Sequence, residues 1–477
     1  MKFIYKKDIY ILACVTLFAA ILRWLFLQRM ELPSFDPWRH LALIRNLRQG
    51  AGFTLFDGQP YIWYSPVWYA ICASVPDWIK VLWISSLLST LSTVLMYLFL
   101  RSPFMGLDLR ASTAGALMAA SFGPLINFTC HYGSEAFALF MTLTALVLCA
   151  HFLRPWSTFL GGLFLGVAMI SRMNFAFLFL LFPPMLQKPS RAFFFLSGLA
   201  APLSSSYWWN SRSIKNHAYL FTWDGIATPS AGYAFLSTLV VQMHATVQEG
   251  IRALHQMIIP VPEWTSHWEL SLFMGIGLIC VALGKRWSLF LSALVPFVYF
   301  MLLDHSLSSN FFRIYLPLFP VFFIAVSLAA KRLFQAGNGR STLAGWILVI
   351  LVMGAGVKYL RPDAMYPLEE VTPPPEALTA DAYMVNSGFY QPESLIYRFP
   401  DKQFIGLPLH PASFEDFYKN YYGQYKFILW HEFSVQDELL KYLLQSGKFT
   451  IIRAFSNKAG RKYLLLEASK IEPEAKP

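Results

Sequence analysis

Charge is scarce in this chain. Of its 477 residues only 14% are Asp, Glu, Lys or Arg, against 56% hydrophobic and 17% aromatic, and the mean hydropathy is +0.46. That balance excludes an ordinary soluble enzyme and marks a polytopic membrane protein. Cysteine is scarce too: Cys14, Cys72, Cys130, Cys149 and Cys280 all lie in or beside apolar runs and none falls in the polar C-terminal part. A disulfide framework and a Cys-based zinc site are therefore not indicated. No Walker A or GxGxxG element is present, which argues against nucleotide use, and no HExxH or Cys/His cluster is present. A bound divalent metal is signalled only weakly, by the i,i+4 pairs Asp36/His40 and His131/Glu135. Low-complexity tracts and defensible repeats are lacking. No small-residue cleavage site follows the basic start (Lys2, Lys6, Lys7) and the apolar run 9–27, so this stretch reads as a retained signal anchor. The net charge of +11 does not mean nucleic acid, because the basic residues stand at the ends of apolar runs. There they act as topology signals and contacts to membrane lipids.

Candidate spans fall at 9–27, 79–100, 111–128, 134–153, 157–170, 174–187, 192–209, 268–284, 287–303, 313–330 and 342–360, about eleven in all. The fifth and sixth are shorter than the roughly 20 residues a full crossing needs. Basic residues cluster at every second connection: Lys2, Lys6 and Lys7; Arg101 and Arg110; Arg154; Lys188 and Arg191; Lys285 and Arg286; Lys331, Arg332 and Arg340. The positive-inside rule places these in the cytoplasm, and the loops 28–78, 129–133, 171–173, 210–267 and 304–312 and the tail from Arg361 outside. The fold expected is a transmembrane α-helical domain over 1–360 with interfacial helices in the first outer loop. A linker over 361–375 then leads to a small extracytoplasmic α/β domain over 376–477. In that domain strands are expected at 382–387, 394–399, 425–430, 449–454 and 462–467, with a helix over 435–446.

The first outer loop carries the most informative stretch, Asp36-Pro37-Trp38-Arg39-His40 through Gly50. Asp36 suits an N-cap, Pro37 the first helical position and Gly50 the far end. With Leu43, Ile44 and Leu47 on one side this is a short helix lying in a membrane interface, with Asp36 and His40 toward its apolar side. Capping alone also accounts for Asp36. Further along the chain, Glu135 opens the fourth span after Gly133-Ser134, where a carboxylate also suits the helix dipole. Arg313 begins the tenth span, where that dipole opposes a cation, and Arg172 sits in the turn Ser171-Arg172-Met173-Asn174; both stand on the side that the positive-inside rule depletes of arginine. Arg212, taken singly, would snorkel to the interface. Ionisable groups gathered at the outer ends of spans point to a site, and several guanidinium groups there fit a lipid-linked phosphate.

These ordered pieces resemble the GT-C glycosyltransferases, the group that includes protein O-mannosyltransferases and the aminoarabinose transferase acting on lipid A. They are Asp36 to Gly52 continuing through Asp57-Gly58-Gln59-Pro60 to Tyr64-Ser65-Pro66, then Ser134-Glu135, then Gly166 to Arg172. Trp209-Asn210-Ser211-Arg212 and Arg313-Ile314-Tyr315-Leu316-Pro317 complete the series. The resemblance implies inverting transfer from a polyprenyl-phosphate-linked sugar to an extracytoplasmic acceptor (glycolipid, glycan or protein). By the same resemblance Asp36 is the base and Glu135 a second acid or metal ligand, while Arg172, Arg212, Arg313 and His40, by their place at the outer ends of spans, are the residues expected to bind the lipid phosphate. Protein mannosyltransferases have Asp-Glu where this chain has Asp36-Pro37, which makes protein mannosylation a poorer match. A lipid or sugar transporter is a rival reading, opposed by the lack of an inverted repeat. A non-catalytic acceptor-binding relative is another. The lack of cysteine in the outer domain and of a visible retention signal points to a bacterial inner membrane, with an endoplasmic-reticulum lumenal site as the alternative.

Overall fold

The computed structural model describes residues 6–29, 36–53, 66–75, 78–214, scattered positions between 279 and 294, 316–336, 339–358 and most of 373–469. Two compact units emerge. The first holds α1 (Lys6–Arg29), α4 (Trp78–Leu100), α5 (Leu109–Ser121), α6 (Gly123–Thr129), α7 (Glu135–His151), α8 (Pro155–Ser171), most of α9 (Pro189–Ile214), α10 (Leu318–Gln335) and α11 (Gly339–Lys358). The second holds α2 (Asp36–Arg48), α3 (Pro66–Ala73) and a C-terminal α/β part. Within α1, α4 and α11 the runs Lys6–Gln28, Lys80–Leu100 and Gly339–Val357 are long and apolar enough to cross a membrane, and α7 and α8 are shorter apolar helices. The chain is an integral membrane protein. The spans expected at 268–284 and 287–303 lie almost wholly outside the described residues.

Two expected spans take a different form. The run 111–128 breaks at Phe122 into α5 and α6. Pro124 has no N–H with which to continue the ladder to the Ala120 carbonyl. Arg23, fully buried on α1, satisfies that carbonyl at 3.1 Å. It also bonds the Ala19 carbonyl at 3.0 Å, Ser89 Oγ at 2.7 Å and Thr93 Oγ1 at 3.4 Å. A cation inside the bundle is thus held by hydroxyls and carbonyls, the backbone break and the arginine answering each other. The run 174–187 contains no α-helix but two 3-10 segments, Met173–Leu181 and Pro183–Met185. Pro183 and Pro184 deprive the end of this run of donors. The greater rise of the 3-10 form, about 2 Å per residue, carries a short segment further than an α-helix would.

Helices α8 and α9 meet through glycine. A Cβ on Gly162 would run into the Phe195 carbonyl oxygen and lie 2.9 Å from Leu199 N, and one on Gly198 would meet the Phe159 carbonyl oxygen. Gly166 makes room for the ring of Pro202, the proline within α9. This is the close backbone approach that small residues permit between membrane helices. Gly162→Leu is expected to destabilise the bundle by at least about 1–3 kcal/mol, because the obstacle is backbone and cannot rotate away. Thermal unfolding in detergent checks this against Gly354→Leu, a position with nothing within 4 Å, which should leave the transition unchanged.

The C-terminal part contains a five-stranded sheet in the order β2-β1-β3-β5-β4, with β1 Ala382–Val385, β2 Gln403–Gly406, β3 Phe427–His431, β4 Phe449–Ser456 and β5 Lys462–Ala468. β1 pairs in parallel with β2 and β3; β5 is antiparallel to both β3 and β4. α12 (Asp437–Gln445) buries Leu439 and Leu443 in the core with Met384, Ile428, Trp430 and Leu466. The strand expected at 394–399 is not present among the described residues. Leu395 and Phe399, four apart and both buried, are joined by a helical-type bond from Phe399 N to the Leu395 carbonyl at 2.8 Å. The second strand is instead the short run Gln403-Phe404-Ile405-Gly406. Asn386, just past β1, ties the C-terminal ends of β1 and β3 together: its amide bonds the His431 carbonyl at 2.9 Å and the His431 N–H at 2.8 Å.

Between helix and sheet, Lys448 Nζ lies 2.5 and 2.6 Å from the two Glu415 oxygens, and Tyr442 donates its hydroxyl to the same carboxylate. The Lys448 and Tyr442 hydrogen bonds hold the Glu415 carboxyl below the usual carboxylate range. A depressed folded-state pKa contributes stability above the unfolded value of about 4.3, lost as pH falls toward the folded value. Denaturant unfolding of the full chain, followed through the C-terminal part, should show an acid-side loss that Glu415→Gln reduces. The effect is small, because solvent screens a carboxylate with 35% side-chain exposure.

Candidate functional site

Of the sequence-selected residues, Asp36 and His40 fall in one local structure in the second unit, and Glu135 and Arg172 in another in the first. In the second unit, Asp36 opens α2. The far end of that helix closes as the glycine pattern predicts. Gly50 adopts φ 76°, its N–H reaches the Leu47 carbonyl at 3.2 Å, and Ala51 N reaches the Asn46 carbonyl at 2.9 Å. Those paired bonds satisfy the last carbonyls of the helix, and only glycine takes that conformation without strain. α2 then packs on α3. His40, fully buried, meets the Tyr69 hydroxyl through Nδ1 at 2.6 Å, and the two rings stack at 5.6 Å. Phe53 packs on the same Tyr69 ring at 5.1 Å. Arg48 donates to the Ala73 carbonyl at 3.3 Å and to the Val75 carbonyl, a cation at the C-terminal end of α3. Asp36 therefore begins a helix clamped at its apolar face and at the C-terminal end of its neighbour. Its side chain lies outside the described residues.

In the first unit the loop His131–Tyr132–Gly133–Ser134 leads into α7, whose first residue is Glu135. Glu135 is 3% exposed, and Arg172 donates to its Oε1. Arg172 is the C-cap of α8, with its N–H on the Ala168 carbonyl at 2.8 Å. One residue before it, Ser171 gives its carbonyl to Ser134 Oγ at 2.9 Å. The start of α7 and the end of α8 are thus latched twice, by a hydroxyl and by an ion pair. Gly133 is part of this arrangement, because a Cβ there would meet the Glu135 carboxylate folded back over it. Burial, together with the Arg172 charge, lowers the pKa of His131 to about 4, so the imidazole is neutral at pH 7.

The structure brings Glu135 and Arg172 together and places His40 against Tyr69. Arg212 belongs to α9, with its side chain outside the described residues, and Arg313 lies outside them altogether. Reading the sequence did not find Tyr69, Ser134 or Gly133 as parts of these arrangements. Ser134 and Gly133 stand directly before Glu135, and that adjacency was the available signal; Tyr69 had none. Among the described residues no group of three His, Cys, Asp or Glu side chains converges as a metal site. Glu135 is engaged by Arg172.

By sequence alone the chain matches no family model and no curated protein. By structure it is similar to an oligosaccharyltransferase of Archaeoglobus fulgidus solved with zinc and sulfate, at 14% identity and a TM-score of 0.59, covering 95% of this chain and 72% of that one. It is also similar to the archaeal oligosaccharyltransferase AglB of Archaeoglobus fulgidus, solved with an inhibitory peptide and a dolichol-phosphate, at 13% identity and a TM-score of 0.54 over 97% and 74%. A third similar structure is the Archaeoglobus fulgidus enzyme tethered by a disulfide to an acceptor peptide containing the NVT sequon, at 14% identity and a TM-score of 0.55 over 95% and 73%. Likeness at this identity establishes the fold alone: the chain shares the fold of these archaeal oligosaccharyltransferase structures.

Proposed function

We propose that this protein is an inverting glycosyltransferase of the bacterial inner membrane that moves a sugar from a polyprenyl-phosphate donor to an acceptor outside the cytoplasm. The observation that carries the reading is the oligosaccharyltransferase-type fold extending over 95% of the chain. Asp36, at the head of the α2 helix in the first outer loop, fits that setting. In the proposed reaction Asp36 takes the acceptor's proton as the acceptor attacks the anomeric carbon. The bond from that carbon to the donor phosphate breaks and the lipid phosphate leaves as an anion. A phosphate with a second pKa of about 6 needs no general acid, so one carboxylate suffices, unlike the pair required in glycoside hydrolysis. Arg172, Arg212, Arg313 and His40 are assigned to the charge that develops on the departing phosphate. Glu135 holds Arg172 in position.

The dolichol-phosphate in one similar structure supports a polyprenyl-linked donor, and the acceptor peptide in another supports a peptide among the candidate acceptors. The purified chain in proteoliposomes, given synthetic polyprenyl-phosphate sugars and polyprenyl-diphosphate sugars with peptide and glycolipid acceptors, tests the reading. Product mass spectrometry should show glycosylated acceptor and the released lipid phosphate. Movement of the lipid-linked sugar across the bilayer with no glycosylated product would overturn it.

A further inference from the structure

The β4–β5 hairpin is apolar and predominantly basic. From Phe449 to Ala468 the sequence carries Arg453, Lys458, Arg461 and Lys462 against the single acid Glu467, and Lys448 just before β4 is engaged by Glu415. β4 is the edge strand of the sheet, and Ile451 and Ile452 are each 47% exposed on it with Arg453 beside them. Bare apolar edges of this kind usually recruit another strand. Here the edge is blunted. Ile451 pairs with Leu466 and Arg453 with Leu465, so Ile452 is an extra residue in a bulge and a charge follows it. Bulges and mid-strand charges are the devices by which edges refuse strand addition. What remains is a surface with isoleucines and guanidinium side by side, suited to a phase that is apolar below and anionic above.

We propose that the β4–β5 hairpin docks on the anionic headgroup layer of the protein's own membrane, with Ile451 and Ile452 entering the interface and Arg453 pairing with lipid phosphate. Charge complementarity argues for this occupant: four basic residues against the one acid Glu467 make the hairpin net positive where a membrane leaflet rich in acidic lipid is negative. Tethering adds to it. The residues between Lys358, the end of an apolar helix, and Pro373 extend at about 3.5 Å each to no more than about 50 Å, so the sheet never leaves the neighbourhood of the bilayer.

The test uses the full chain in proteoliposomes with a photocrosslinker, Ile452→p-benzoylphenylalanine, and the same substitution at the exposed Glu438 of α12 as a control. With phosphatidylglycerol in the bilayer, irradiation should yield lipid adducts at position 452 and few at 438. Replacing phosphatidylglycerol by phosphatidylcholine, or adding Arg453→Glu, should cut the yield at 452 by about threefold or more. Lipid adducts at 452 no more frequent than at 438 would overturn the proposal. So would crosslinks from 452 to another segment of the chain, to a second copy or to an added acceptor peptide.

Discussion

Asp36→Asn is expected to lower sugar transfer by about 10²–10⁴-fold, the usual worth of a positioned general base. Donor affinity and thermal stability should hardly change. Asparagine is the informative replacement because it serves as a helix N-cap about as well as aspartate does. If Asp36 only starts α2, the asparagine variant keeps full activity. If Asp36 takes the acceptor's proton, the amide occupies the same space and cannot accept it. The clamps on α2 make the comparison clean. The Gly50 closure, the His40–Tyr69 contact and the Arg48 bonds to the end of α3 are all made elsewhere on the helix. A substitution at its first residue leaves them in place. Initial rates at saturating donor, together with the unfolding transition of each variant, decide between the two roles. Unchanged transfer by Asp36→Asn would remove Asp36 as the base and leave it a cap.

The helical part of the fold was legible because membrane crossing demands long apolar runs, and α1, α4 and α11 announce themselves by that demand alone. The turn at Arg172 and the start of α7 at Glu135 were legible for the same reason: polar residues interrupt the runs there. Hydropathy could not tell an α-helix from a 3-10 helix. The 173–181 segment is equally apolar in either form, and the difference lies in which carbonyl each N–H reaches. Nor does composition reveal that Arg23 would find the carbonyl that Pro124 leaves open, since the two are brought together only by the packing of α1 on α5. In the C-terminal sheet the run 394–399 carries the strand-favouring Ile396, Tyr397 and Phe399. The four-residue spacing of Leu395 and Phe399 is helical, and Pro400 follows immediately. At the candidate site the sequence identified charged residues but not their partners. Glu135 reads as a carboxylate suited to its own helix dipole, and in the folded protein it turns back across Gly133 to Arg172.

That pairing makes Arg172→Ala the substitution with the largest expected cost in stability. Glu135 is 3% exposed and the Arg172 side chain 15%. Removing the guanidinium leaves a sealed carboxylate without its cation, which costs about 3–5 kcal/mol when one half of a buried pair is lost. Thermal unfolding in detergent should show this as a large fall in Tm. The cost arises from the stranded charge more than from any net worth of the pair. A second change that removes the charge, Glu135→Gln with Arg172→Met, should therefore restore most of the stability. Activity separates two roles for the arginine. If Arg172 serves only to latch α7 against α8, the stable double variant transfers sugar at close to the parent rate, because Ser134 still holds the Ser171 carbonyl. If Arg172 also stabilises charge on the departing lipid phosphate, the double variant is stable and slow, its kcat reduced by about 10²-fold or more while donor binding changes less. Arg172→Lys sharpens the distinction. It keeps the charge but loses the planar fork that matches a phosphate, so a latch survives it largely intact and a phosphate clamp does not. A stable double variant with parental kcat would confine Arg172 to holding the two helices together and leave the phosphate to Arg212 and Arg313.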